Sequence, residues 1–148
     1  MKKLVLGISL LVATTTFAQK DELKTLKKLY DKEQLSVEDF AKYKETLVKL
    51  ESVATTEDDK VASDYYKAMS PLAEMATLGA QPNPMMIQKI FTPEAFTGMV
   101  NTMRSTLDYE TKTGKKFFTD DINKNITSMK PIFTHMALTY NNAKKYKI

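Results

Sequence analysis

The sequence predicts an all-α protein in which antiparallel helical hairpins stack as a short array or bundle of about six or seven helices. Apolar residues recur three and four positions apart along most of the chain, and polar N-cap residues precede these stripes. No stretch alternates between apolar and polar residues with the period of two that a strand requires. With 43% hydrophobic and 27% charged residues, the composition is that of a globular protein and excludes disordered and collagen-like classes.

The composition also excludes many kinds of chemistry. The 148 residues contain no cysteine, one histidine and four glycines. Disulfides, thiolate metal sites, cysteine nucleophiles, histidine clusters and glycine-rich phosphate loops are therefore absent from this sequence. His135 has no acid or nucleophile beside it in the sequence, so we expect no catalytic residue, no cofactor and no metal site. A hydrolase or other enzyme would need either a pair of carboxylates or His135 with an acid to converge in a cleft.

The N-terminus has the pattern of an export signal. A short positive segment, residues 1–3, precedes the apolar run 4–13, and small residues follow at Thr16 and Ala18. This pattern predicts signal-peptide cleavage after Ala18 and a mature chain that begins at Gln19. The apolar run is shorter than the about 20 residues of a membrane span, and no later segment is long and apolar enough to be one. We therefore expect a protein of the periplasm or the extracellular space.

Residues 19–148 are predicted to form a single helical domain with a subdomain break at 80–84, where two prolines occur in three residues. The charge changes sign at the same place: residues 19–79 carry 10 lysines and 13 acidic residues, and residues 80–148 carry 10 basic and 5 acidic residues. The basic half suits an acidic protein, phospholipid or polysaccharide. Nucleic acid is not an expected partner outside the cytoplasm.

Three amphipathic helices are predicted before this break. The first covers about 21–34. Ser36 is the predicted N-cap of the second helix. The outer face of this helix carries the charged residues Glu38, Lys42, Glu45, Lys49 and Glu51, of which Glu38/Lys42 and Glu45/Lys49 have i, i+4 spacing. Thr56 is the predicted N-cap of the third, which ends near Gly79 and should be kinked at Pro71.

After the break, residues 85–91 suggest a short helical turn. Thr92 is followed by Pro93 and an acidic residue, which predicts a helix start, and the helix should end near Gly114. Thr119 is the next predicted N-cap. Pro131 is predicted to begin a separate last helix.

The last predicted helix resembles the first helix of a tetratricopeptide repeat (TPR). The resemblance rests on an aromatic, an apolar and a small residue followed by two tyrosines: Phe133, Met136, Ala137, Tyr140 and Tyr146. It covers about 16 of the 148 residues, and no second full repeat aligns with it. The resemblance implies an exported, TPR-like array of helical hairpins.

The chain ends where the second helix of such a repeat would begin, and three explanations remain open. The last helix caps a complete bundle, pairs with a second copy or another protein, or belongs to a shortened repeat protein. The second explanation predicts a homodimer through the last helix.

The TPR resemblance implies a non-enzymatic protein–protein interaction scaffold that holds a segment of another protein in a groove. The residues predicted to line this groove are Tyr65, Tyr66, Met69, Arg104 and Tyr140. The alternative is a helical bundle that binds a small apolar ligand. Its pocket would be surrounded by Phe96, Met99, Met103 and Met136.

Overall fold

The computed structural model describes residues 19–79 and 83–145, with the backbone alone at 84, 133, 135–137 and 139–145. These residues form seven helices and no strand, which confirms the predicted fold class. The helices are α1 (19–30), α2 (Val37–Val53), α3 (Glu57–Ala68), α4 (Ser70–Met75), α5 (Pro84–Ile90), α6 (Pro93–Thr113) and α7 (Thr119–Lys145). The predicted signal peptide 1–18, residues 80–82 of the predicted break, and Tyr146 lie outside the described residues.

The chain divides into two compact units, Met1–Thr102 and Met103–Ile148. The division falls within α6. The first unit contains α1 to α5 and the first half of α6. The second contains the remainder of α6 and α7.

Local hydrogen bonds fix the starts of α2 and α3, as the sequence predicts. The hydroxyl of Ser36 accepts the amide of Asp39 at 3.0 Å. Thr56 and Asp59 form a reciprocal capping box: the Thr56 hydroxyl accepts the Asp59 amide, and the Asp59 carboxylate accepts the Thr56 amide. Both caps satisfy amides that the first helical turn leaves without a backbone acceptor.

The core of the first unit is rich in tyrosine. α2 packs against α3 and α4, and Tyr43, Tyr65 and Met69 are completely buried. The Tyr43 hydroxyl donates a hydrogen bond of 2.5 Å to the backbone carbonyl of Tyr66, which satisfies two buried polar groups at once. Burial raises the pKa of Tyr43 well above its ordinary value. The Tyr30 ring meets the edges of both Tyr65 and Tyr66.

Pro71 breaks the predicted third helix instead of kinking it. α3 ends at Ala68 and α4 begins at Ser70, so Pro71 lies in the first turn of a new helix. That position needs no backbone N–H donor, whereas a helix interior does. Pro71 is therefore accommodated at little energetic cost.

The buried residues of the second unit lie on α6, on α7 and in the loop between them, namely Met103, Thr106, Glu110, Phe118, Ile122 and Met129. α6 ends before Gly114, which has the left-handed φ of +71° that the predicted C-terminal position requires. The prediction of a separate helix beginning at Pro131 is wrong, because α7 continues through this residue to Lys145. Pro131 is exposed, so its ring is accommodated on the solvent side of the helix, at the loss of one backbone hydrogen bond.

Candidate functional site

A surface groove of about 500 Å³ lies along α1 and α2 in the first unit. Its lining combines charged side chains with three small or short ones. The lining residues are Glu22, Thr25, Glu38, Ala41, Lys42, Glu45, Thr46 and Lys49. We refer to this feature as the α1–α2 groove.

The helical repeat of α2 explains why these residues share one surface. Positions 38, 42, 45 and 49 are spaced by three and four and follow one side of the helix. The core-facing side carries Tyr43, Leu47 and Leu50, which are buried. Between the two sides lies Thr46, which is buried and whose hydroxyl donates to the Lys42 carbonyl at 2.7 Å. Its hydrogen-bonding capacity is thus directed into the helix and away from a ligand.

Two of the five charged residues of the groove form an ion pair. The ammonium group of Lys49 lies 2.7 Å from the carboxylate of Glu45, one helical turn away. The hydrogen bond with Lys49 lowers the pKa of Glu45, and the same bond raises the pKa of Lys49. Both groups are therefore ionised at neutral pH. Because both side chains are well exposed, the pair contributes little to the stability of the fold.

A stripe of three apolar residues, interrupted by the exposed Lys44, runs beside these charges on α2. Val37 is 74% exposed and Val48 is 65% exposed, and both lie on the same side of the helix as the exposed Ala41. Ala41 belongs to the groove lining as well, so the stripe and the groove are continuous. The surface thus offers exposed apolar area next to charges of both signs.

Three of the five residues predicted to line a partner groove are buried in the core of the first unit. Tyr65 and Met69 are completely buried and Tyr66 is 3% exposed. They pack the helices together and present no surface to a partner, because an aromatic stripe at helical spacing marks the face that is buried. Arg104 is exposed on α6 and belongs to the second unit. For Tyr140 the structure describes the backbone alone.

The residues predicted to surround an apolar ligand are divided between the units. Phe96 is half-buried and Met99 is buried in the first unit, and Met103 is buried in the second. The side chains of Met136 and His135 lie outside the description. The apolar-ligand hypothesis therefore stays a prediction.

Sequence reasoning interpreted the charged side of α2 as an ordinary solvated face and missed the α1–α2 groove. Glu38, Lys42, Glu45 and Lys49 have the spacing of such a face, and nothing in it indicates that α1 lies alongside. The available signal was the presence of Ala41 and Val48 among charged residues, where a solvated helix would carry further polar side chains.

Two further observations concern residues 19–79 and 83–145 alone. No cluster of three histidine, cysteine, aspartate or glutamate residues there is arranged to hold a metal ion. Over the same residues, no helix combines the length and apolar character needed to cross a membrane.

Comparisons with protein-family models, with curated proteins and with solved structures gave no match for this chain.

Proposed function

We propose that the chain is an exported, non-enzymatic interaction protein of TPR-like type that binds a segment of another protein in the α1–α2 groove. The observation that carries this proposal is the apolar stripe formed by Val37, Ala41 and Val48 beside the groove. Two exposed valines on one helix face gain free energy when a partner covers them, at roughly 25 cal/mol per Å² of apolar area removed from water.

The geometry favours an amphipathic helix as the bound segment. Two neighbouring helices form a long furrow in which a third helix can lie, as in stacked helical hairpins. Such a segment would place apolar residues, spaced by three and four, against the valine stripe. Its charged residues would face the glutamates and lysines of the groove.

Because the groove carries charges of both signs, its specificity should depend on the order of charges along the bound segment and not on the net charge of that segment. Glu22, Glu38 and Glu45 face a partner together with Lys42 and Lys49. A segment of uniform charge would meet repulsion from one of the two sets, whereas a segment of alternating charge would be matched. Since these groups are exposed, binding should weaken as salt is added.

Export supports the same proposal, because an interaction protein outside the cytoplasm meets other envelope or extracellular proteins. Expression in a bacterial host, followed by intact-mass analysis of the exported fraction, tests this step. We expect a chain that begins at Gln19. A cytoplasmic chain that still begins at Met1 would overturn the export.

The binding surface is tested by site-specific photo-crosslinking in the exporting host. A photoreactive amino acid at Val48 should give a defined adduct, and the same group at Lys60, which is exposed on α3, should not. Ala41→Trp fills the groove from the same helix and should abolish the adduct. Equal labelling from both positions, or an adduct unaffected by Ala41→Trp, would refute the groove as the binding site.

A further inference from the structure

The loop between α6 and α7, residues 114–118, presents an aromatic ring among lysines. Phe117 is 50% exposed. Lys115 and Lys116 precede it and are exposed, and Lys112 lies in the last turn of α6. The ammonium group of Lys115 lies 5.8 Å from the centre of the Phe117 ring. Charge and apolar area are therefore combined within one short surface loop.

The buried carboxylate of Glu110 fixes this loop from beneath. It accepts the amide of Phe117 at 2.7 Å, the amide of Phe118 at 2.5 Å and the hydroxyl of Thr119. Phe118 is 6% exposed. The chain thus anchors one phenylalanine in the second unit and presents its neighbour to solvent in a defined position.

The charge of the second unit is of one predominant sign. Residues 103–148 contain nine basic and four acidic residues, a net charge of +5. Two of the acids, Asp120 and Asp121, follow the loop in the first turn of α7, where the helix dipole favours negative charge. The three lysines precede the exposed ring in the sequence, and the two aspartates follow it.

We propose that the 114–118 loop docks on an anionic phospholipid surface. Phe117 enters the boundary between headgroups and acyl chains, and Lys112, Lys115 and Lys116 contact the phosphates. A half-exposed ring beside exposed lysines suits a fluid surface that deforms around it, whereas a protein partner would need a pocket shaped for the ring. Charge complementarity selects an anionic bilayer over a neutral one. This docking is independent of the α1–α2 groove.

The expected strength follows from the number of groups engaged. A lysine close to an anionic membrane contributes about 1 kcal/mol, which is roughly a fivefold change in partitioning. Three lysines and one aromatic ring give weak, reversible binding that vanishes at high salt, because the charges are screened within a Debye length of about 10 Å at 0.1 M salt.

The experiment uses the chain from Gln19 onward, the product of the proposed cleavage, with vesicles of phosphatidylcholine alone and of an equimolar mixture with phosphatidylglycerol. We expect sedimentation with the mixed vesicles only. Lys115→Gln and Lys116→Gln should each lower the partition coefficient about fivefold, and Lys89→Gln, an exposed lysine of α5, should leave it nearly unchanged. Far-ultraviolet circular dichroism verifies that each variant is folded.

A separate fluorescence experiment measures insertion of the residue 117 side chain into the bilayer. The chain contains no tryptophan, so Phe117→Trp introduces a unique fluorophore at the loop. Its emission should shift to the blue with the mixed vesicles, and that of Val100→Trp, at a position of α6 that is 41% exposed, should not.

Four results would overturn the proposal: no vesicle binding, equal binding to neutral and mixed vesicles, binding insensitive to the loop lysines, or no blue shift at position 117. Binding to soluble polyglutamate without binding to vesicles would also overturn it, since the loop would then recognise an acidic protein.

Discussion

Replacing Glu110 by alanine should release the turn between α6 and α7 while leaving both helices formed. The side chain is 3% exposed, and its carboxylate accepts three hydrogen bonds, from the amides of Phe117 and Phe118 and from the Thr119 hydroxyl. In the alanine variant these donors lose their acceptor. The Phe118 amide is the most affected, because its surroundings are buried.

The magnitude follows from the kind of hydrogen bond that is lost. A hydrogen bond to a charged group contributes about 1.5–3 kcal/mol, and a buried donor left without an acceptor costs a similar amount. The two backbone bonds would together give roughly 3–6 kcal/mol if they were independent. The exposed loop can relax and admit water, so we expect a loss near the lower end, about 3 kcal/mol.

Amide hydrogen exchange measured by NMR is the appropriate assay, because it reports the opening of individual amides. A loss of about 3 kcal/mol corresponds to a more than 100-fold faster exchange at Phe117 and Phe118. Glu110→Gln is the matched control. It keeps one carbonyl oxygen for both amides, so most of their protection should survive.

Two outcomes would refute this reasoning. If the alanine variant kept the protection of both amides, the carboxylate would not be what holds the turn. If glutamine and alanine caused equal losses, the bonds to the retained oxygen would contribute nothing measurable.

Three further predictions concern single groups. Tyr43→Phe removes the donor to the Tyr66 carbonyl and should lower stability at neutral pH by about 1 kcal/mol. Burial raises the pKa of the Tyr43 hydroxyl in the folded state above its ordinary value of 10.0. The stability of the wild-type protein should therefore fall as the pH rises above 10, and denaturation curves of the phenylalanine variant should show a smaller fall. The Ser63 hydroxyl is buried without a hydrogen-bond partner among the described residues, so Ser63→Ala should raise stability by about 1 kcal/mol in urea unfolding. Gly114→Ala forces a side chain into a left-handed conformation. It should lower the free energy of unfolding by about 1 kcal/mol, which thermal denaturation would show as a lower midpoint.

Each of these three predictions has a result that contradicts it. An unchanged alkaline transition in Tyr43→Phe would show that this tyrosine is not the group that resists ionisation. A destabilised Ser63→Ala would show that the hydroxyl has a partner in solution, such as an ordered water. An unaltered Gly114→Ala would show that α6 can end in another conformation.

Features that depend on contacts within a few residues could be predicted from the sequence. The caps at Ser36 and Thr56 are examples, because the bonded groups lie three positions apart. The glycine end of α6 is another. The effects of Pro71 and Pro131 on their helices are harder to predict, since proline is compatible both with a helix start and, on an exposed face, with a helix interior. Packing around each residue decides between these outcomes, and one sequence does not contain that information.

The sequence predicts a protein-binding surface but does not identify the residues that form it. Periodicity places Tyr65 and Met69 on an apolar helical stripe. Such a stripe marks a buried face more often than a binding groove, and both residues are buried. Glu110 shows the opposite case. In the sequence it is one acid among many on a helix, and its partners lie seven to nine positions away across a turn.

The α1–α2 groove and the 114–118 loop share a reason for escaping sequence analysis. Each combines apolar residues with charges, so neither produces the clean amphipathic pattern on which helix assignment depends. Val48 and Phe117 each expose at least half of their surface, although burial of either would stabilise a domain of this size. A protein that keeps both exposed gives up that stability unless each is covered by something else. The crosslinking and vesicle experiments therefore test one idea at two places: that large apolar side chains kept exposed beside charges mark the surfaces where this protein meets its surroundings.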